Sequence, residues 1–262
     1  MCNQLEERLT IAFGLQVLGP NRYGWRLTPL IAGVATIALV YVLGRCLFES
    51  RVPALVAAGL LTFDFMHFVH SRLAMLEIFT TLWVTAGALF FVLDRDHEGD
   101  GWFRPWRFAA GACLGAAVAT KWSAGLLLIG VIVLTVLFDR AQRDRGGTRR
   151  GAVVATVLGL ALIPLVVYLV SYAGRLEGPL LAAPWSEGSW FSSWLERQGE
   201  MFRYHTAERA AAAERLPVHP LASPPWSWLL LKRPMAYYFD AQGGLYREIL
   251  ALGHVILWPL GI

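Results

Sequence analysis

Apolar positions along the 262-residue chain gather into long runs instead of alternating, and the runs break at clusters of charge. Six of them approach the about 20 residues that a helix needs to cross a hydrocarbon core of about 30 Å. They cover residues 30–48, 52–70, 73–93, 106–120, 124–138 and 151–172. A seventh begins at Ile249, continues to Ile262 and reads as the start of a truncated membrane helix. Nothing repeats with the period of a barrel strand, and backbone polar groups in lipid must be satisfied within their own segment. The expected fold class is therefore all-α, a polytopic membrane protein with six complete transmembrane helices and a seventh cut short. Residues 1–29 form an outer segment whose apolar part, Leu9–Leu18, is too short to cross and is read as an interfacial helix. Residues 30–172 are the transmembrane core, and 173–248 are a loop-rich segment carrying Trp185, Trp190, Trp194, Trp226 and Trp228 among many prolines. Within it, a short helix is expected from Trp190 to Arg215.

Sidedness follows from Lys and Arg in the short connections, since positive charge is retained on the cytoplasmic face. One alternate set of connections holds Arg45, Arg51, Arg95, Arg104, Arg107, Arg140, Arg143, Arg145, Arg149 and Arg150, whereas the opposite set holds only Arg72 and Lys121. The ten-arginine set is expected inside. Residues 1–29, the His70–Met75 and Thr120–Ser123 corners and the segment 173–248 then face outward.

Composition agrees with a bilayer as solvent. The chain is 56% hydrophobic and 16% charged with a mean hydropathy of +0.49, against about 45–50% apolar and about 25% charged in soluble domains. That excludes a disordered or fibrous chain. The net charge of +4 is a topology signal, so no nucleic-acid partner is assigned. Cys2, Cys46 and Cys113 are too few and too dispersed for a disulfide framework or a paired-cysteine metal site.

Ionisable groups at membrane depth are costly, which makes each a functional candidate. On a continuous helix over 52–70, Asp64, His67 and Ser71 would share one face at the outer end. Arg72 and Glu77 come within reach of each other around the next corner, and Lys121 with Trp122 opens the one after, so all would line one outer vestibule. The plainer reading makes Arg72–Glu77 a structural ion pair, Asp64 a satisfied carboxyl and Lys121 a snorkelling cation. Asp64, His67 and His70 have the spacing of a metal triad, but no metal is assigned. Gly111, Gly115 and Ala119 recur every four residues, a pattern of close helix packing. The basic run 140–150 suits anionic headgroups. His205 and His219 have no nucleophile-elbow context, and there is no Gly-rich phosphate loop.

Five stretches in this order, GPNRYGWRLTPLIAG (19–33), FDFMHFVHSRLAMLEIF (63–79), GACLGAAVATKWSAG (111–125), HPLASPPWSWLLLKRPMAYYFD (219–240) and REILALGHVILW (247–258), resemble the protein O-mannosyltransferase family. The resemblance implies a GT-C type membrane glycosyltransferase. Such an enzyme passes mannose, with inversion, from polyprenyl or dolichyl phosphate mannose to Ser or Thr hydroxyls of exported proteins. It implies a lipid-linked sugar as donor substrate with no cofactor and an exported protein as acceptor, and a dimer partner is expected; the richness in Ala, Arg and Gly points to a bacterial plasma membrane, and the arginine asymmetry puts the active face outward. Arg26 matches the position expected near the donor phosphate, where a guanidinium pairs phosphate oxygens. Arg72 and Lys121 are further phosphate candidates, and Asp64, His67, Glu77 and Trp122 line the vestibule. His219, Ser223, Pro225, Trp226, Trp228 and Arg233 match the outer stretch expected to shape the acceptor or donor pocket.

The chain also departs from the family pattern. The family's Asp-Glu pair in the first outer loop, whose aspartate is taken as the general base, has no counterpart, and CNQLEER stands where a His-Pro-Pro-Leu-Gly-Lys type stretch is usual. Glu6 and Glu7 read as solvated charges. Leu221 and Ala222 replace aromatic and polar residues. The catalytic residue is therefore unknown, and the chain reads as a fragment lacking the first helix, that loop and the last helices. Two other readings stand beside the enzyme: a non-catalytic membrane subunit or transporter-like module, and a lipid-linked sugar transferase with a glycan or lipid acceptor. Since the reaction needs a base within hydrogen-bond reach of the acceptor hydroxyl, the 262-residue chain alone is expected to transfer no mannose. Radiolabelled mannose appearing on an acceptor peptide incubated with the purified chain would contradict this.

Overall fold

The structure is a computed structural model that describes residues 5–96, 101–144, 151–172, 190–203, 235–242 and 245–254. The chain divides into two compact units, Asn3–Ser171 and a second formed by Tyr172–Ile262 with Met1–Cys2.

Among its described residues the first unit is built of helices: α1 (Leu5–Leu18), α2 (Gly24–Phe48), α3 (Arg51–Thr62), α4 (Phe65–His70), α5 (Leu76–Arg95), α6 (Pro105–Thr120), α7 (Ala124–Asp144), α8 (Ala152–Thr156) and α9 (Ile163–Val170). A π-helical segment, Val157–Leu162, joins α8 to α9 without a break. Four stretches are long and apolar enough to cross a membrane by length and composition: Gly24–Phe48, Leu76–Arg95, Ala124–Gln142 and Ala152–Val170. Their exposed faces, with Leu126, Ile129, Val153 and Val157 among them, are those of helices that meet lipid.

Helix α2 starts six residues before the apolar run predicts. Gly19 turns the chain with φ +81, and the Asn21 carboxamide oxygen accepts the backbone N–H groups of Tyr23 and Gly24 at 2.8 and 3.2 Å. Satisfying these first donors lets the helix begin at Gly24 and carry Pro29 inside it, where the ring is fully buried.

Two expected spans come out differently. The run 52–70 is not one helix. It breaks at Phe63–Asp64 into α3 and α4, because Asp64 turns extended (φ −74, ψ 120) and its carboxylate accepts the His67 N–H as an N-cap at 2.9 Å. An aspartate that can bond its own downstream backbone competes with the continuous helix that apolarity alone would form. The run 106–120 becomes α6 of 16 residues, roughly 24 Å long and short of a full crossing. It is buried instead: Ala110, Leu114, Ala117 and Ala119 have at most 3% exposure. Helix α6 is the central packing rod of the unit, lying against α5 on one side and the α8–α9 rod on the other.

That placement uses the small-residue stripe. A Cβ on Gly111 would collide with the Gly159 carbonyl, and one on Gly115 would come 2.7 Å from the Pro164 Cα. The wide π turn brings Gly159 up to α6. It also absorbs Pro164, which has no N–H to offer the preceding turn, so the proline continues the rod.

At one end of the unit sits a buried ionic cluster. Arg104 and Arg107 are 1% and 2% exposed and Asp94 3%. Arg104 Nε donates to Asp94 Oδ1 at 2.7 Å and its Nη2 to the Asp94 carbonyl at 2.6 Å. Arg107 Nε donates to Asp94 Oδ2 at 2.9 Å. The far side of the Arg107 fork reaches Asp139 (2.8 and 3.1 Å), Thr156 Oγ1 (2.7 Å) and the Ala152 carbonyl (3.2 Å). One guanidinium thus ties α5, α6, α7 and α8 together.

In the second unit, α10 (Trp190–Arg203) realises the expected helix over its described residues, and the Tyr172 hydroxyl donates to Met201 Sδ at 3.8 Å with both side chains buried. The described residues also include an antiparallel hairpin, β1 (Met235–Gln242) with β2 (Leu245–Ala251). Here the reading of a membrane helix from Ile249 is corrected for its first residues, since Ile249–Ala251 close β2 opposite Tyr238, Ala236 and Met235. Apolarity does not choose between helix and strand in so short a run; an aromatic-rich partner strand does. The run's end, 255–262, lies outside the described residues.

Removing the Asp94 charge takes from the buried cluster the carboxylate that Arg104 and Arg107 share. Asp94→Asn is expected to destabilise the chain by about 3–5 kcal/mol. Arg95→Gln, which breaks the solvent-facing Arg95–Asp96 pair, is expected to cost under about 1 kcal/mol. Thermal unfolding midpoints in detergent check this, and equal shifts for the two variants would contradict it.

Candidate functional site

The opposite end of the same unit gathers most of the vestibule residues. Helix α4 ends in the corner between His70 and Met75, and this corner lies against α2: a Cβ on Gly33 would sit 2.6 Å from Ser71 Cβ. His67 is buried with its Nε2 3.2 Å from the Gly33 carbonyl. A carbonyl only accepts, so Nε2 carries the proton in this contact. Asp64 spends Oδ1 on the helix cap, and the Ser71 hydroxyl donates to the Phe68 carbonyl at 2.8 Å. The expected stripe of Asp64, His67 and Ser71 on one helix face is therefore replaced by a cap, a ring tied to α2 and a hydroxyl turned back on its own backbone. These residues build the corner.

The ion pair is also re-partnered. Glu77, in the first turn of α5, accepts a hydrogen bond from Lys121 Nζ at 3.2 Å, with side chains 33% and 42% exposed. The Arg72 guanidinium instead lies over the Phe68 ring, 5.1 Å from its centroid. Lys121 caps the C-terminal end of α6 with extended backbone (φ −150, ψ 120), its N–H bonded to the Ala117 carbonyl. From that step Lys121 reaches α5, while the next residue, Trp122, reaches α9: its indole N–H donates to the Tyr168 hydroxyl at 2.7 Å. Arg26 is exposed in the first turn of α2, seven residues and roughly 10 Å of helix beyond Gly33. The end of the unit thus presents a half-exposed ammonium–carboxylate pair, an oriented indole and two arginines, a set suited to an anionic group attached to an apolar or sugar moiety.

A sequence profile for the dolichyl-phosphate-mannose-protein mannosyltransferase family matches residues 12–174. The chain belongs to this family. It is 30% identical over 272 residues to the polyprenol-phosphate-mannose–protein mannosyltransferase of Mycobacterium tuberculosis, an alignment covering 88% of this chain and 51% of the relative. The protein of the same name from Mycolicibacterium smegmatis is 30% identical over 300 residues (96% and 57%), and that from Corynebacterium glutamicum 28% over 302 residues (96% and 56%). The chain thus spans about half the length of the curated relatives it matches. No solved structure matches it.

The family match encloses Arg26, Asp64, His67, Arg72, Glu77, Lys121 and Trp122. The outer-segment candidates His219, Ser223, Pro225, Trp226, Trp228 and Arg233 lie outside the described residues. Sequence reasoning missed two contacts in this mannosyltransferase-family chain. Tyr168, 46 residues from Trp122, carried no signal beyond being a tyrosine near the end of an apolar run. Arg104 and Arg107 were counted only as sidedness markers, although Asp94 and Asp139, carboxylates placed just past two apolar runs, were the available hint that arginines would be drawn in to meet them.

Asp64→Ala, removing the cap of α4, is expected to lower stability by about 1 kcal/mol, more than Glu77→Gln in its partly exposed pair, expected to cost a few tenths of a kcal/mol, order of magnitude. Chemical or thermal unfolding of the two variants checks the order.

Proposed function

We propose that this chain is the donor-binding membrane part of a mannosyltransferase that moves mannose from a polyprenyl phosphate carrier to Ser or Thr hydroxyls of exported proteins, working on the outer face of a bacterial plasma membrane. The observation that carries the reading is the Lys121–Glu77 corner, a half-exposed ammonium at the end of the unit, in a chain of the mannosyltransferase family. The relatives' names supply the donor and acceptor classes. The outward assignment rests on the arginine asymmetry of the short connections.

In this reading the carrier phosphate lies at Lys121, with Arg72 and Arg26 on neighbouring elements. Breaking the bond between the sugar carbon and the phosphate oxygen leaves an additional negative charge on the phosphate, and a cation already in place stabilises that charge as it develops. Glu77 keeps the ammonium oriented before the carrier arrives, and its own exposure lets it yield to phosphate without stranding a buried carboxylate. Protons of the acceptor hydroxyl need a base that the residues of this corner are not asked to supply.

The test is binding of polyprenyl phosphate to the chain in lipid nanodiscs. Lys121→Gln is expected to weaken it roughly 10- to 100-fold, the scale of one hydrogen bond to a charged group, with smaller losses for Arg72→Gln and Arg26→Gln. Arg51→Gln, on the arginine-rich side, is the comparison that should not change. Unchanged affinity in all three site variants would overturn the proposal.

A further inference from the structure

Tryptophans at membrane surfaces ordinarily turn the indole N–H toward headgroups or water while the ring rests in the hydrocarbon boundary. Trp122 does the reverse. It stands at the Lys121–Ser123 corner and donates its N–H inward, at 2.7 Å, to the hydroxyl of Tyr168, a residue only 9% exposed. Tyr168 is held in turn: it sits one turn from the end of α9, where the buried Ser171 hydroxyl donates to its carbonyl at 2.7 Å. The indole is half-buried, so part of the ring stays at the surface while its angle is set by the fold. The residue before it is the ammonium that Glu77 orients, and the two side chains leave one extended backbone step toward different helices.

A ring fixed in this way beside a cation suits a two-part ligand, a phosphate and the apolar C–H face of a pyranose attached to it. We infer that Trp122 is the sugar-recognising ring of the donor site and Tyr168 its positioning residue, so that this corner separates the hexose-loaded carrier from the spent one. The inference rests on the proposed donor site. Phosphate is common to polyprenyl phosphate mannose and polyprenyl phosphate, and Lys121 holds both; the hexose belongs to the loaded carrier alone, and only the ring can reward it. Recognition of this kind favours exchange of product for substrate at one site, since the contact is lost when the sugar leaves.

The experiment compares affinities of short-chain polyprenyl phosphate mannose and polyprenyl phosphate for the full chain in nanodiscs. Trp122→Ala is expected to lower the ratio of loaded to spent affinity roughly three- to tenfold, the scale of one aromatic contact. Trp122→Phe, which keeps a ring but no N–H, and Tyr168→Phe, which keeps the packing but no hydroxyl, are expected to lower the ratio by less, and they report even if Trp122→Ala does not fold. An unchanged ratio in all three, or equal weakening of both ligands, overturns the inference. Lys121→Gln is expected to weaken both ligands together, and its failure to do so would instead strike the donor-site reading itself.

Discussion

The Asp94 carboxylate is the constraint around which the helical unit is arranged. Its two oxygens and its backbone carbonyl are all used by Arg104 and Arg107, and the Arg107 fork continues to Asp139, Thr156 and the Ala152 carbonyl. Two arginines and two carboxylates balance in charge, and only a set as complete as this tolerates burial, since desolvating any one ion alone costs several kcal/mol. The consequence is geometric. The ends of α5, α6, α7 and α8 are held at one point, and the helices are aligned from there.

From that clamp the unit is steered by close backbone packing. The glycines of α6 admit Gly159 and Pro164 of the adjoining rod at distances that a side chain would forbid, and the π turn accommodates the proline without ending the rod. In lipid, where apolar side chains gain little by leaving the solvent, such approach is a principal source of helix association. The opposite end then receives its contents in register: Lys121 at the end of α6 faces Glu77 at the start of α5, and Trp122 faces Tyr168 on α9. A sealed ionic cluster thus sits at one end and a half-exposed pair at the other.

The division makes chemical sense for a membrane glycosyltransferase family. Cations that hold the fold are fully matched and sealed, whereas Lys121, the cation of the proposed donor site, is matched loosely by a carboxylate that solvent also reaches. The corner residues around it, His67 tied to Gly33 and Asp64 capping α4, are spent on fixing the backbone from which the site projects.

The sequence by itself determined the helical membrane class, the family, the placement of four long apolar spans, the small-residue stripe of α6 and the gathering of Arg72, Glu77, Lys121 and Trp122 near helix corners, because all of these are properties of local composition, spacing or motif order. Tertiary structure decided the rest. Lys121, not Arg72, took Glu77; Arg104 and Arg107 went inward; Trp122 found Tyr168; and Ile249–Ala251 joined a strand. The choices of Lys121 and Trp122 depend on partners far along the chain, 44 residues from Glu77 and 46 from Tyr168, and the Arg107 fork reaches 49 residues to Thr156, whereas Arg104 and the strand found partners nearer by that apolarity alone does not single out. The break at Asp64 is the instructive exception. Its cap is only three residues long, yet it was read as helix because a long apolar run outweighed one aspartate in the pattern, while in the fold the carboxylate's hydrogen bond to the His67 N–H, with His67 anchored on Gly33, outweighed continuity of the helix.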